Sequence, residues 1–272
     1  MPLNAKMRGV PRVITSNGYD IGYAEAGGGE RTPIVFLHGV GSDKSVWRPQ
    51  LDHFGQERRA IAFDYPGYGE SDPAPEGTTR DDYASAIISA MHEFGVDRAH
   101  ICGLSLGGVV AIAMCHADPD RCASLVLADS FAVHPDGLTI YDRSVAASEN
   151  MRVLAESRAD VLLAQPADPA VRTEVIETMA RIDPAAFQIG AEAVWLADQS
   201  DRAHDIRAAT LVLCGAEDHV TPSALSKALA GLIPGARFEL IERAGHLTNI
   251  ERPQEFNALV GAFIRGVDSR TS

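Results

Sequence analysis

The chain has 272 residues, and 24 basic against 37 acidic side chains give it a formal net charge of -13. That surplus of negative charge repels polyanions, so neither a nucleic acid nor an anionic membrane is an expected partner. Hydrophobic residues at 46% and charged residues at 22% exclude a disordered chain, and no run reaches the roughly 20 apolar residues of a membrane-spanning helix.

The N-terminal stretch MPLNAKMRGVPRV lacks the apolar core of a secretion signal. The four cysteines (Cys102, Cys115, Cys122 and Cys214) show no CxxC pairing. Together these lead to the expectation of a cytoplasmic chain with reduced thiols and neither structural zinc nor a disulfide framework. Residues 12–26 read as an antiparallel hairpin turned at Ser16-Asn17-Gly18-Tyr19, where Asn-Gly favours positive φ. Short apolar runs at 33–37, 59–63, 99–103, 124–128, 210–214 and 237–241 then predict strands. Most are rich in Val, Ile, Leu or Phe, as strands covered on both faces are. Helical patterns lie between them: 80–94, capped by Thr79; 106–116; 223–232; and 254–264, with Pro253 at its start. Alternation of this kind predicts the α/β class, a mostly parallel central sheet flanked by helices.

The alternation breaks after the sixth expected strand. Residues 131–208 have a helical period, punctuated by Pro135, Pro166, Pro169 and Pro184, and hold many apolar side chains, among them Met151, Leu162, Phe187, Ile189, Trp195 and Leu196. Such a segment needs a partner surface, and the mouth of the sheet is the one on offer. The expected organisation is therefore a core of residues 1–130 and 209–272 with a helical lid at 131–208.

The chemistry begins at Gly103-Leu104-Ser105-Leu106-Gly107, a G-x-S-x-G between an expected strand and an expected helix. A sharp turn there presents the Ser105 hydroxyl at a helix N-terminus, whose dipole favours developing negative charge. Serine is a weak nucleophile and needs a base. Of nine histidines, His246 sits just after the last expected strand, at the end of the sheet where ligands bind in α/β folds. His38, before Gly39, reads instead as a brace for its loop. The base needs a carboxylate partner, and Asp218 follows the 210–214 strand, giving the chain order Ser, Asp, His. Asp129, at the end of the preceding strand, is the rival. The backbone N–H groups of Val40 and Leu106 are the natural oxyanion donors. Phe131, Trp195 and Leu247 are candidate pocket walls. No metal cluster, phosphate loop or dinucleotide motif is visible, so no metal and no cofactor is expected.

The segments FLHGVGSDKSVW (36–47), FDYPGYGESD (63–72), GLSLGG (103–108) and AGHLTNIERP (244–253) resemble the α/β-hydrolase superfamily, and within it the wording is similar to 3-oxoadipate enol-lactonases. Tyr68 departs from the pattern, standing where many relatives carry His. The resemblance implies the α/β-hydrolase fold and a serine hydrolase that opens a small ester or lactone through an acyl-enzyme. Dehalogenases and epoxide hydrolases of this fold use Asp where Ser105 stands, which disfavours those activities. An enol-lactone of this kind carries a carboxylate, so a pocket arginine is implied, and the lid offers Arg143, Arg152, Arg158, Arg172 and Arg181. Carbon–carbon hydrolysis of meta-cleavage products, perhydrolysis, and ligand reception without turnover are the alternatives on the same scaffold. The oligomeric state is open, with a homodimer one candidate.

Overall fold

The computed structural model describes residues 13–16 and 18–271. The hairpin forms as β1 (Val13–Ser16) and β2 (Tyr19–Ala26), with Ser16 opposite Tyr19 and Gly18 at φ +83°. Arg12 and Asn17 of the expected hairpin lie outside the described residues. The remaining strands are β3 (Ile34–Leu37), β4 (Ala60–Phe63), β5 (Ala99–Leu104), β6 (Cys122–Ala128), β7 (Ala209–Gly215) and β8 (Arg237–Ile241), each within two residues of its expected bounds. All eight join one sheet in the order β1-β2-β4-β3-β5-β6-β7-β8. The neighbours from β4 to β8 pair in parallel, and the hairpin adds an antiparallel edge through β2 and β4. Every residue of β3 to β6 is buried, the physical counterpart of their unbroken apolar runs.

Helices cover both faces. α1 (Arg48–Phe54) is too short to show a period, and only Pro49 and the buried pair Leu51 and Phe54 mark it. α2 (Arg80–Glu93) starts at a capping box in which Thr79 and Asp82 satisfy each other's backbone N–H groups. α3 (Leu106–Ala117) is buried from Leu106 to Cys115, as a helix apolar on all sides must be. Between β6 and β7 the chain forms α4 (Gly137–Ala147), α5 (Met151–Leu162), α6 (Pro169–Met179), α7 (Pro184–Trp195) and α8 (Ser200–Asp205). α6 and α7 open alike, with Asp168 and Asp183 as N-caps ahead of a proline. Met151, Leu162, Phe187 and Trp195 are buried here, whereas Leu196 is 42% exposed. α9 (Ser223–Leu232), α10 (Thr248–Glu251) and α11 (Pro253–Thr271) complete the chain. α11 runs beyond the expected 254–264 because Val267 continues its buried stripe and Asp268 is anchored: its carboxylate pairs with Arg58 (2.9 Å) and with His100 (3.0 Å). No described helix is long and apolar enough to cross a membrane.

That anchor makes stability depend on acid. His100 is fully buried, with Nδ1 at 2.8 Å from Ser124 Oγ. Burial brings its pKa down from 6.5 to about 4, aided by the charges of Arg58 and Arg98 and opposed by Asp268. Between those values only the unfolded chain gains the proton, so stability is present above pH 6.5 and is lost as the pH falls towards 4. The full loss is about 3 kcal/mol. Urea midpoints at neutral pH and near pH 4 measure it, and the acid loss is expected to shrink in His100→Gln. An equal acid loss in the variant contradicts the assignment to His100.

Candidate active site

Ser105 sits between β5 and α3 at φ +55°, ψ -115°, a left-handed conformation that strains a non-glycine residue by about 1–3 kcal/mol. Its surroundings hold it there. Its N–H donates to Ala128 O (2.9 Å), and its own carbonyl accepts from Ser130 Oγ (2.9 Å). The flanking glycines are steric requirements: a Cβ on Gly103 would lie 2.1 Å from Gly107 O, and one on Gly107 would lie 2.1 Å from Leu37 O. The motif therefore marks a place where β5, α3 and the end of β3 meet too closely for side chains.

His246 stands on the loop after β8, with Nδ1 at 2.8 Å from Asp218 Oδ2. Asp218 also accepts from the Val220 and Thr221 N–H groups on Oδ1 (2.8 and 2.9 Å) and from Thr221 Oγ1 on Oδ2 (2.7 Å). Burial opposes ionisation of Asp218, but the charge and hydrogen bond of His246, together with the Thr221 donors, bring its pKa down to about 2. An ionised Asp218 fixes the proton on Nδ1 and leaves Nε2 as the basic nitrogen. Ser105 and His246 line one cavity without a hydrogen bond between them, an arrangement common before substrate draws such groups together.

Asp129 does not reach the histidine. It sits at φ +49° after β6, and its oxygens accept from Gly215 N–H (2.8 Å) and Thr248 Oγ1 (2.5 Å). Burial, reinforced by the nearby charge of Asp218, raises its pKa well above the carboxylate range. Asp129, Cys214 and Asp218 lie close enough to suggest a metal site, but the oxygens of both carboxylates are already engaged by protein donors.

Opposite the histidine, the loop after β3 passes close to the serine: a Cβ on Gly39 would lie 3.4 Å from that of Ser105. Val40, next along, lines the cavity. Leu106 opens α3, so its N–H has no partner within the helix. His38 does brace this loop, its Nδ1 donating to Gly39 O (2.8 Å). A second brace escaped the sequence reading. Asp64 is fully buried, accepts the Lys44 backbone N–H (2.7 Å) and pairs with the Lys44 ammonium (2.5 Å). A lone acid directly after the apolar β4 was its signal.

The cavity holds about 50 Å³, room for a few waters. Trp195 and Leu247 line it as expected. Phe131 does not: it is fully buried behind Trp195, stacked on the indole at 5.7 Å, so it backs the wall instead of forming it. Tyr68 packs against α7, its hydroxyl donating to Ala186 O (3.3 Å). Of Arg143, Arg152, Arg158, Arg172 and Arg181, Arg158 alone lines the cavity. Arg152 and Arg172 are paired on the surface with Glu177 and Asp160. Arg158 is partly buried and makes no hydrogen bond or ion pair among the described residues. Burial lowers its pKa, and Asp218 is the charge that favours its protonated form.

A parallel sheet of this order, with a serine at a strand-to-helix turn and a histidine after the last strand, defines an α/β-hydrolase. Residues 34–259 match the alpha/beta hydrolase family, and the chain belongs to that family. It is 29% identical to the dihydrolipoyllysine-residue acetyltransferase component of the acetoin cleaving system of Pseudomonas putida, over 94% of this chain and 69% of that protein. It is 27% identical to 3-oxoadipate enol-lactonase 1 of Acinetobacter baylyi, over 88% of this chain and 91% of that one. The crystal structure of the enol-lactonase from Burkholderia xenovorans LB400 superposes with a TM-score of 0.87 at 26% identity, covering 93% of this chain and 100% of its own. The chain is thus an enzyme of the α/β-hydrolase class that resembles enol-lactonases.

Proposed function

We propose that this protein is a serine hydrolase that cleaves a small carboxylic ester or lactone through an acyl-enzyme. Ser105 Oγ attacks the carbonyl carbon while His246 Nε2 takes its proton. The Val40 and Leu106 N–H groups receive the oxyanion, and Asp218 stabilises the imidazolium. As the tetrahedral intermediate collapses, His246 returns the proton to the leaving oxygen. A water, deprotonated by His246, then attacks the acyl carbon, and the proton passes back to Ser105 as the acid departs. The observation that carries this proposal is the 2.8 Å Asp218–His246 contact behind a cavity that also holds the strained Ser105.

Residues 131–208 act in this proposal as a lid that selects substrate, with 1–130 and 209–272 as the catalytic core. Arg158 supports a substrate with a carboxylate: a desolvated guanidinium without an ion-pair partner, in a largely apolar cavity, gains one when an anionic acyl or leaving group binds. The similarity to enol-lactonases points the same way. The four buried free thiols accord with a cytoplasmic location.

A panel of a neutral nitrophenyl ester, a carboxylate-bearing lactone and a meta-cleavage product tests the reaction class. The lactone is expected to have the highest kcat/KM, and preference for the meta-cleavage product would contradict an ester or lactone hydrolase. With Arg158→Gln, KM for the carboxylate-bearing substrate is expected to rise by about tenfold or more, the loss of one charge-assisted bond of roughly 1.5–3 kcal/mol. The neutral ester serves as the control. A similar rise for both substrates would show that Arg158 shapes the cavity without recognising charge.

A further inference from the structure

Glu251 ends α10, five residues after His246. Its partly buried carboxylate gathers backbone donors from two parts of the chain, its own neighbourhood at Gly245 and Leu247 and the distant Ala164. Oε2 accepts from the Gly245 N–H (2.8 Å), directly before His246. Oε1 accepts from the Ala164 N–H (2.7 Å), two residues beyond α5. A further bond runs alongside, from the His246 N–H to Leu162 O (2.8 Å). The two backbones touch: a Cβ on Gly245 would lie 2.7 Å from both Ala164 N and Leu162 O. α5 is also the helix that brings Arg158 and Leu162 to the cavity.

We infer that Glu251 is a positioning residue whose carboxylate fastens the end of α5 to the loop bearing His246, so that the cavity wall and the base keep one register. This rests on His246 being the base, as proposed above. A carboxylate suits the task because both of its oxygens accept. Glutamine offers one oxygen and turns its NH₂ towards the second N–H, so one of the two ties must open.

The test compares wild type, Glu251→Gln and Ala164→Pro as full chains. Ala164→Pro deletes one donor and leaves the Gly245 tie, and Leu163 already has the extended backbone (φ -110°, ψ 142°) that a following proline requires. Amide hydrogen exchange is followed over 160–166 and 243–249, and kcat and KM are measured on 4-nitrophenyl acetate. In Glu251→Gln, exchange is expected to quicken in both segments together. kcat is expected to fall by about tenfold to a hundredfold, the effect of small misplacements at a reacting centre, with KM nearly unchanged. In Ala164→Pro, exchange at 243–249 rises although its own sequence is intact, and this variant decides the matter if Glu251→Gln fails to fold. Exchange that quickens in one segment only, or a kcat that stays at wild-type level while both segments loosen, would overturn the inference. The exchange measurement needs no turnover, so a wild type inactive on the ester would sink the proposed function and leave the tie itself tested.

Discussion

Ser105→Ala is expected to fold as the parent does and to lose about 10⁴–10⁶ in kcat, the usual loss when the nucleophile of a coupled triad is removed. That range corresponds to roughly 5–8 kcal/mol of transition-state barrier. Folding survives because the contacts that hold this turn are made by the backbone: Ser105 N–H to Ala128 O, and Ser130 Oγ to Ser105 O. The glycines at 103 and 107 that allow the close approach are untouched, and alanine needs no more room than serine. Activity above about a tenth of wild type in the purified variant would remove Ser105 from the role of nucleophile.

Asp218→Asn is expected to lose about 10⁴ in kcat, against less than about tenfold for Asp129→Asn. The first substitution keeps an oxygen for the Val220 and Thr221 N–H groups but turns an NH₂ towards His246 Nδ1, which pushes the imidazole proton onto Nε2 and removes the base. The second substitution changes little. Asp129 makes no contact with His246, and an amide in its place can still accept from Gly215 N–H while donating to Thr248 Oγ1. Paired kcat measurements on one ester decide between the two acids, and the reverse ranking would move the triad's acid to Asp129.

These residues could be read from the sequence because each is tied to a local pattern. Ser105 is flanked by glycines that steric contact demands; Asp218 follows β7, an apolar run buried almost throughout, and His246 follows β8, a half-buried edge strand marked by Phe238, Leu240 and Ile241. The five-helix segment was visible as a loss of alternation. Its inner arrangement was not. Phe131 and Trp195 are both large, apolar and buried, and only the stacking of one behind the other separates wall from backing. Arg158 shares α5 with Arg152 and differs from it by the face it occupies, and the acidic partners of Arg152 and Arg172 lie 25 and 12 residues away in the chain. α1 was too short for periodicity, and the extent of α11 depends on Asp268 meeting Arg58 and His100 from 210 and 168 residues away. Glu251 was legible as part of a phrase, AGHLTNIERP, but its partner Ala164 lies 87 residues off and offers only a backbone N–H, which no side-chain pattern records.

The most direct measurement is covalent labelling of the purified protein with a fluorophosphonate, read by peptide mass spectrometry alongside residual esterase activity. Phosphonylation is expected on the peptide carrying Ser105, in step with loss of activity, and to fail in Ser105→Ala and in His246→Ala. Inactivation that maps to another residue, or full activity with Ser105 labelled, would contradict an acyl-enzyme formed on Ser105.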